Sequence, residues 1–258
     1  MKANETKVED FLSSNKTQFV IPVYQRNYDW STGQCKQLLD DILEVGTNKK
    51  MNAHFIGSIV YVHDDVYTAS RIKELTVIDG QQRLTTLTLI YLVLHRLAKE
   101  LKDEGLVNEI SETYLINKFA PEEEKLKLRP TENNDKALKY LLRSDDNEDF
   151  PDFSKLVDNF NYYKGRITEE NYQFVLEGLS KLMFVEISLD REKDDPRSRP
   201  TSHTVKIARS LLPLVVNGSK LRAPARLQKT PNQIPAVGTK PISFQYHPIH
   251  STTVRIRS

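Results

Sequence analysis

The stretch Val77-Ile78-Asp79-Gly80-Gln81-Gln82-Arg83-Leu84-Thr85-Thr86-Leu87 gathers chemistry where an apolar run gives way to helical spacing. A strand-to-helix junction exposes unpaired backbone N–H groups at the positive end of the helix dipole, a natural seat for phosphate. Gly80 allows the turn and the close approach of a ligand. The Arg83 guanidinium can fork onto phosphate oxygens. Asp79 is placed to hold a magnesium ion or a water. Gln81 or Gln82 can orient an attacking water, as glutamine does in some nucleoside triphosphatases. A plainer alternative has Asp79 capping the helix and pairing with Arg83, and spacing alone favours it.

A second constellation is Ile21-Pro22-Val23-Tyr24-Gln25-Arg26-Asn27-Tyr28-Asp29-Trp30. Three aromatics alternate with polar groups just after a short apolar run. Tyr and Trp rings offer faces for stacking, and Gln and Arg offer planar forks for bases or phosphates. The alternative puts Tyr24, Tyr28 and Trp30 in the core and Arg26 in an internal ion pair. Composition does not choose between them.

The elements that must carry these residues are legible in outline. Thr6 to Asn15 predicts a short helix with a capping box from Thr6 to Glu9. Phe19 to Ile21 predicts a strand that stops at Pro22. Ser31 to Gln34 is a second capping-box pattern, opening a helix with Leu38, Leu39, Ile42 and Leu43 inward and Gly46 closing it. Phe55 to Val62 and Leu75 to Ile78 read as strands joined by a polar loop, His63 to Lys73. The helix near Gln81 is apolar nearly all round, through Leu84, Leu87, Ile90, Leu94, Leu97 and Leu101, so it belongs at the centre. Beyond Lys102 the predicted helices are Asn108–Phe119, Asn134–Arg143, Phe153–Ile167 and Glu169–Leu182. An acidic loop, Ser144–Asp149, separates two of them, and Met183–Leu189 returns as a strand. The fold class is α+β: a small mixed sheet over 1–105, a helical extension over 106–195, and a tail over 196–258.

Charge divides the chain unevenly. It holds 37 basic and 35 acidic residues. No Asp or Glu follows Asp195, while eleven basic residues do: Arg197, Arg199, Lys206, Arg209, Lys220, Arg222, Arg226, Lys229, Lys240, Arg255 and Arg257. Taking those eleven from 37 leaves 26 against 35, a net of −9 for residues 1–195. Eight of the twelve prolines also lie beyond Asp195, and Ile207–Val216 is the longest amphipathic stretch there. Three readings of this tail stand: a non-native sequence such as a frameshift product, a basic arm that binds nucleic acid through phosphates, or a folded domain. The single cysteine, Cys35, cannot form an internal disulfide, and no signal peptide opens the chain, so a cytoplasmic setting is expected. Leu84–Leu94 falls short of the ~20 residues a membrane span needs.

Taken in order, IPVYQRNYDW, HFIGSIVYV and VIDGQQRLTTL form a pattern that resembles the N-terminal domain of GmrSD-type restriction proteins. These are modification-dependent enzymes with relatives in anti-phage defence. LKLRPTENNDKALKYLL and FVEISLDREKDDP are similar to that family too, so the resemblance covers roughly residues 6–195. It implies a ParB/sulfiredoxin-like core with a helical extension. It implies a site that binds and hydrolyses a nucleoside triphosphate with magnesium. Asp79, Gln81, Gln82 and Arg83 would be catalytic there, Asp79 the metal ligand, and Gly80, Thr85 and Thr86 the nucleotide contacts. Tyr24, Gln25 and Arg26, with Tyr28 and Trp30, would line the same cleft or a neighbouring surface that senses DNA, including modified DNA.

The family assigns DNA cutting to a separate HNH-type nuclease domain or subunit. No His-Asn constellation of that type follows here, and His203, His247 and His250 have no acidic partner in sequence. The expectation is a regulatory domain without its nuclease, truncated in its helical part, that acts with such a partner or as a homo-oligomer. The competing expectation is a DNA or modified-base sensor without turnover. Nicking by the domain itself lacks a second metal-ligand cluster, and a degenerate product without function is the remaining alternative.

Overall fold

The computed structural model describes residues 2–63, 72–122, 125–143 and 152–190. The Ser144–Asp149 loop, most of the His63–Lys73 connection, and the tail with Ile207–Val216 lie outside the described residues. Six strands form one mixed sheet in the order β1-β6-β3-β4-β2-β5. At its centre β3 (His54–His63) runs antiparallel to β4 (Lys73–Asp79) and parallel to β6 (Leu182–Asp190). Strand β1 (Lys2–Lys7) pairs antiparallel with β6 at one edge. At the other, β2 (Thr17–Val20) runs parallel to both β4 and β5 (Leu128–Arg129).

Around the sheet stand α1 (Val8–Leu12), α2 (Thr32–Thr47), α3 (Gln81–Glu100), α4 (Glu104–Ile110), α5 (Glu132–Arg143), α6 (Lys155–Lys164) and α7 (Tyr172–Ser180). A π-helical turn, Ser111–Leu115, continues α4. The class is α+β, as the sequence predicts.

Alternation along the strands explains why FIGSIVYV is almost wholly apolar. Ile59 and Tyr61 face the main core with α2, α3, α6 and α7, while Val60 and Val62 join Val185, Ile187 and Leu189 in a second cluster. Successive side chains of a strand point to opposite faces, so both faces here carry apolar residues. Helix α3 lies at the heart of the main core, with Leu84, Leu87, Leu89 and Ile90 fully buried. The predicted 1–105 and 106–195 segments share this sheet and this core, because β5 and β6 come from the later one.

Three local expectations change. The Thr6–Asn15 helix shrinks to α1, because Thr6 belongs to β1 opposite Phe184. Its hydroxyl donates to Glu186 Oε2 at 2.9 Å instead of capping a helix, and Lys7 is an N-cap without a side-chain bond. Gly46 does not close α2, which runs to Thr47. It lets α7 pack close: a Cβ at Gly46 would lie 1.9 Å from the Phe174 carbonyl oxygen, and one at Gly178 would lie 2.1 Å from that of Ile42. The Asn108–Phe119 helix is replaced by α4, the π turn and a β-bridge between Ile116 and Leu126. The Ser31 capping box is present as read.

Candidate functional site

Strand β4 ends at Asp79, opposite Val60 of β3, and α3 begins at Gln81. Gly80 makes the turn with φ of 89° and is itself the N-cap, so no side chain caps the helix. A Cβ there would stand 2.9 Å from the Ser58 carbonyl oxygen. The glycine is therefore required twice, for its left-handed backbone and for the close passage over β3. Asp79 is half-buried at the strand end.

Arg83 reaches across to β3. Its Nη1 donates to the Ile56 carbonyl at 2.9 Å. Gly57, with φ of 110°, lies under the guanidinium, where a Cβ would come within 2.4 Å of Nη1. The β3–β6 register shifts between Phe55 and Ser58, so the strand bulges where the arginine rests. Gly57 was not singled out in the sequence. The available signal was a glycine inside an apolar strand, which marks a bulge or a close approach.

The aromatic loop packs directly on this turn, so the two sequence constellations come together. Gln25 Nε2 donates to the Ile78 carbonyl at 3.1 Å. Gln81 Nε2 donates to the Arg26 carbonyl at 3.3 Å. Gln82 spends both ends of its amide on the loop: Oε1 accepts from Asp29 N at 2.8 Å and Nε2 donates to the Asn27 carbonyl at 3.1 Å. Thr131 Oγ1 donates to Asn27 Oδ1 at 2.7 Å, and Asp29 pairs with Lys155.

The candidate residues divide by exposure. Tyr24 is 47% exposed, and Arg26 is exposed as well. Tyr28 is buried among Thr86, Cys35 and Asn159, and burial raises its phenol well above the ordinary value. Thr85 and Thr86 are buried on α3, and the Thr86 hydroxyl lies 2.8 Å from the Gln82 carbonyl oxygen. Trp30 packs partly against the core and lines a cleft with Gln34, Gln37, Asp41, His54 and Arg83. In that cleft His54 Nε2 stands 3.6 Å from Asp41 Oδ2. Gln37, Asp41 and His54 carry no motif of their own, and Gln34 is legible only as the end of the Ser31 capping box. Gln37 and Asp41, four residues apart on α2, form a polar patch that reads as an ordinary solvated face.

One atom of the motif stands apart. Gln81 is 7% exposed, and its Oε1 is buried without a hydrogen-bond partner among the described residues. Turning the amide over would set its oxygen against the Arg26 carbonyl, so the donor-to-Arg26 orientation is the favourable one. An unpaired buried acceptor costs about 1–3 kcal/mol, and a donor from a water or ligand at the α3 N-terminus would remove that cost. Among the described residues no group of three or more His, Cys, Asp and Glu side chains gathers to hold a metal. One carboxylate at Asp79 still fits magnesium, which takes most of its ligands from phosphate oxygens and water.

A family model for the GmrSD restriction endonuclease N-terminal domain matches residues 8–199. The chain belongs to that family. The matched region takes in β2, the aromatic loop, the Asp79–Arg83 turn and every later described element. No match is found among curated proteins. Within the GmrSD N-terminal domain described here, no helix among the described residues is long and apolar enough to cross a membrane.

Proposed function

We propose that this GmrSD N-terminal domain binds a nucleoside triphosphate at the Asp79–Arg83 turn and hydrolyses it, as the regulatory part of a DNA restriction system. The observation that carries this reading is the unpartnered Gln81 Oε1 at the N-terminus of α3, where backbone N–H groups and the helix dipole favour phosphate. Arg83, whose Nη1 also holds the Ile56 carbonyl, and Trp30 both line the adjacent cleft, a guanidinium and an aromatic face of the kinds that meet phosphate and base. Asp79 would hold magnesium, which when bound draws charge from the phosphates.

Gln81 then accepts a hydrogen bond from the attacking water and aims it. The water oxygen bonds to the terminal phosphorus, the bridging P–O bond breaks, and the water's proton leaves with the released phosphate. Gln82 is the weaker candidate for this role, since both ends of its amide already hold the loop. A DNA-sensing surface is favoured by a separate observation, the exposure of Val23, Tyr24 and Arg26 at the tip of the same loop. In that arrangement DNA contact and nucleotide occupancy meet on one loop, and the signal passes to an HNH-type nuclease domain or subunit.

Phosphate release by the full-length chain, with each of the four common triphosphates and magnesium, tests the reading. Gln81→Leu is expected to lower kcat about 100-fold with KM little changed. Gln82→Leu is expected to raise KM, because it frees the loop. Wild-type protein that binds triphosphates tightly and releases no phosphate would replace hydrolysis by ligand sensing. No binding at all would remove the nucleotide site.

A further inference from the structure

Helix α6 lies in the helical extension, far in sequence from both motifs, yet its Asn159 is buried against the aromatic loop. The Asn159 Nδ2 donates to the Tyr28 hydroxyl at 3.1 Å and to the Trp30 carbonyl at 2.8 Å. Its burial is nearly complete, at 1% exposure. The direction of the protons beyond it follows from elementary bookkeeping. The Gln82 carbonyl can only accept, so the Thr86 hydroxyl gives it its one proton, at 2.8 Å. Thr86 Oγ1 must then accept from Tyr28, also at 2.8 Å. Tyr28, having given its proton to Thr86, accepts from Asn159. The amide's two protons are thereby assigned, one to Tyr28 and one to Trp30.

We infer that Asn159 is a positioning residue that fixes the Tyr28–Trp30 loop and the first turn of α3 as one unit, through the one-way donor chain Asn159 to Tyr28 to Thr86 to the Gln82 carbonyl. The inference rests on the nucleotide site proposed above for its effect on function, and on geometry alone for its effect on the loop. Two features place the control in α6. A buried asparagine has no interchangeable neighbour: Leu156, Phe160 and Tyr163 beside it are equally buried, and only Tyr163 carries a polar group, used on the Cys35 carbonyl at 3.1 Å. The second tie from α6, the Lys155–Asp29 pair, is surface-exposed and contributes little by itself. A shift of α6 is therefore felt at Trp30 and at Gln82 together, which gives the helical extension a physical route to the motif turn.

Trp30 is the chain's single tryptophan, so its fluorescence reports the loop without any added probe. The test uses the full-length protein with Tyr28→Phe, Asn159→Asp and Asn159→Leu. Tyr28→Phe keeps the ring in the core and removes the relay together with the hydroxyl's 3.6 Å contact with Cys35 Sγ. Asn159→Asp keeps the shape and sets an acceptor against the Trp30 carbonyl. Expected are a red-shifted Trp30 emission and about twofold greater acrylamide quenching in both Asn159 variants. Nucleotide KM should rise about tenfold in all three variants, with kcat changed far less, as loss of a positioning hydrogen bond predicts.

Unchanged Trp30 emission and quenching in a folded Asn159 variant would overturn the inference. So would a Tyr28→Phe protein with wild-type KM, which decides the matter if the Asn159 variants do not fold. The fluorescence arm separates the two proposals. A wild-type chain that hydrolyses nothing, with a Trp30 that still responds to Asn159, leaves the positioning intact and removes the nucleotide reading.

Discussion

Arg83 and Gly57 illustrate how a motif residue depends on one outside the motif. The guanidinium rests where Gly57 has no side chain, and the backbone there is in the left-handed region with φ of 110°. Gly57→Ala should both strain β3, by about 1–3 kcal/mol, and push Arg83 off the Ile56 carbonyl. The expected outcome is a lower melting temperature together with a rise in nucleotide KM, measured on the same preparation. A change in melting temperature with KM untouched would mean that Arg83 does not meet the ligand.

Lys127 is a residue-scale case of another kind. It is buried, and its ammonium donates to the carbonyls of Leu12, Ser14 and Thr113 at 2.9, 3.1 and 2.6 Å. Burial lowers its pKa to about 8, so the folded state releases this proton more readily than the unfolded chain does. Stability from this group should therefore rise with pH, from about 8 up to the ordinary lysine value, where the difference is complete. Urea unfolding at pH 7.5 and pH 10, compared with Lys127→Met, should show the wild type gaining about 2 kcal/mol relative to the variant. A parallel pair of curves would contradict this.

At the scale of elements, packing decided what the sequence left ambiguous. The long helix α3, the capping box of α2 and the strands β3 and β4 were legible, because each rests on a local signal: an apolar period, a Ser-to-Gln reach, or β-branched runs. What failed were elements whose reason is a distant partner. Strand β1 is polar and is held by pairing with β6 along its whole length. Strand β5 is only Leu128–Arg129, sheltered beside β2. Gly46 resembled a helix terminator and is instead the contact that lets α7 cross α2.

That reading of Gly46 predicts a symmetrical effect. Gly46→Ala and Gly178→Ala should each destabilise the fold by about 1–3 kcal/mol, because each added methyl meets a backbone carbonyl that cannot rotate away. Chemical denaturation measures it, and a neutral Gly46→Ala would restore the terminator role. Within the candidate site, the two motif segments were legible while the hydrogen bonds that join them were not. Gln81 and Gln82 are equivalent in sequence and both bond the aromatic loop; what separates them is that Gln82 uses both ends of its amide there and Gln81 only its Nε2. Asn159 was missed because one polar residue on an otherwise apolar helix face reads as a tolerated exception.

For the whole molecule, the sheet binds early and late segments together. Because β5 and β6 pair with β2, β3 and β1, the 1–105 and 106–195 segments should unfold as one. Thermal unfolding followed by Trp30 fluorescence and by far-ultraviolet circular dichroism should give coincident transitions, whereas two separated transitions would show independent units. The net of −9 over residues 1–195 means that a DNA contact through the loop tip must be local, since the body as a whole repels phosphate. Coincident transitions are expected because the Asp79–Arg83 turn, the aromatic loop and α6 are joined by hydrogen bonds within one core.

The most direct measurement is triphosphate hydrolysis by the full-length chain beside Asp79→Ala and Arg83→Ala, each shown by circular dichroism to be folded. At least about 100-fold slower phosphate release is expected in both variants, the loss that follows when a group that stabilises transition-state charge is removed. Equal rates for all three proteins would contradict it and place any turnover elsewhere in the molecule.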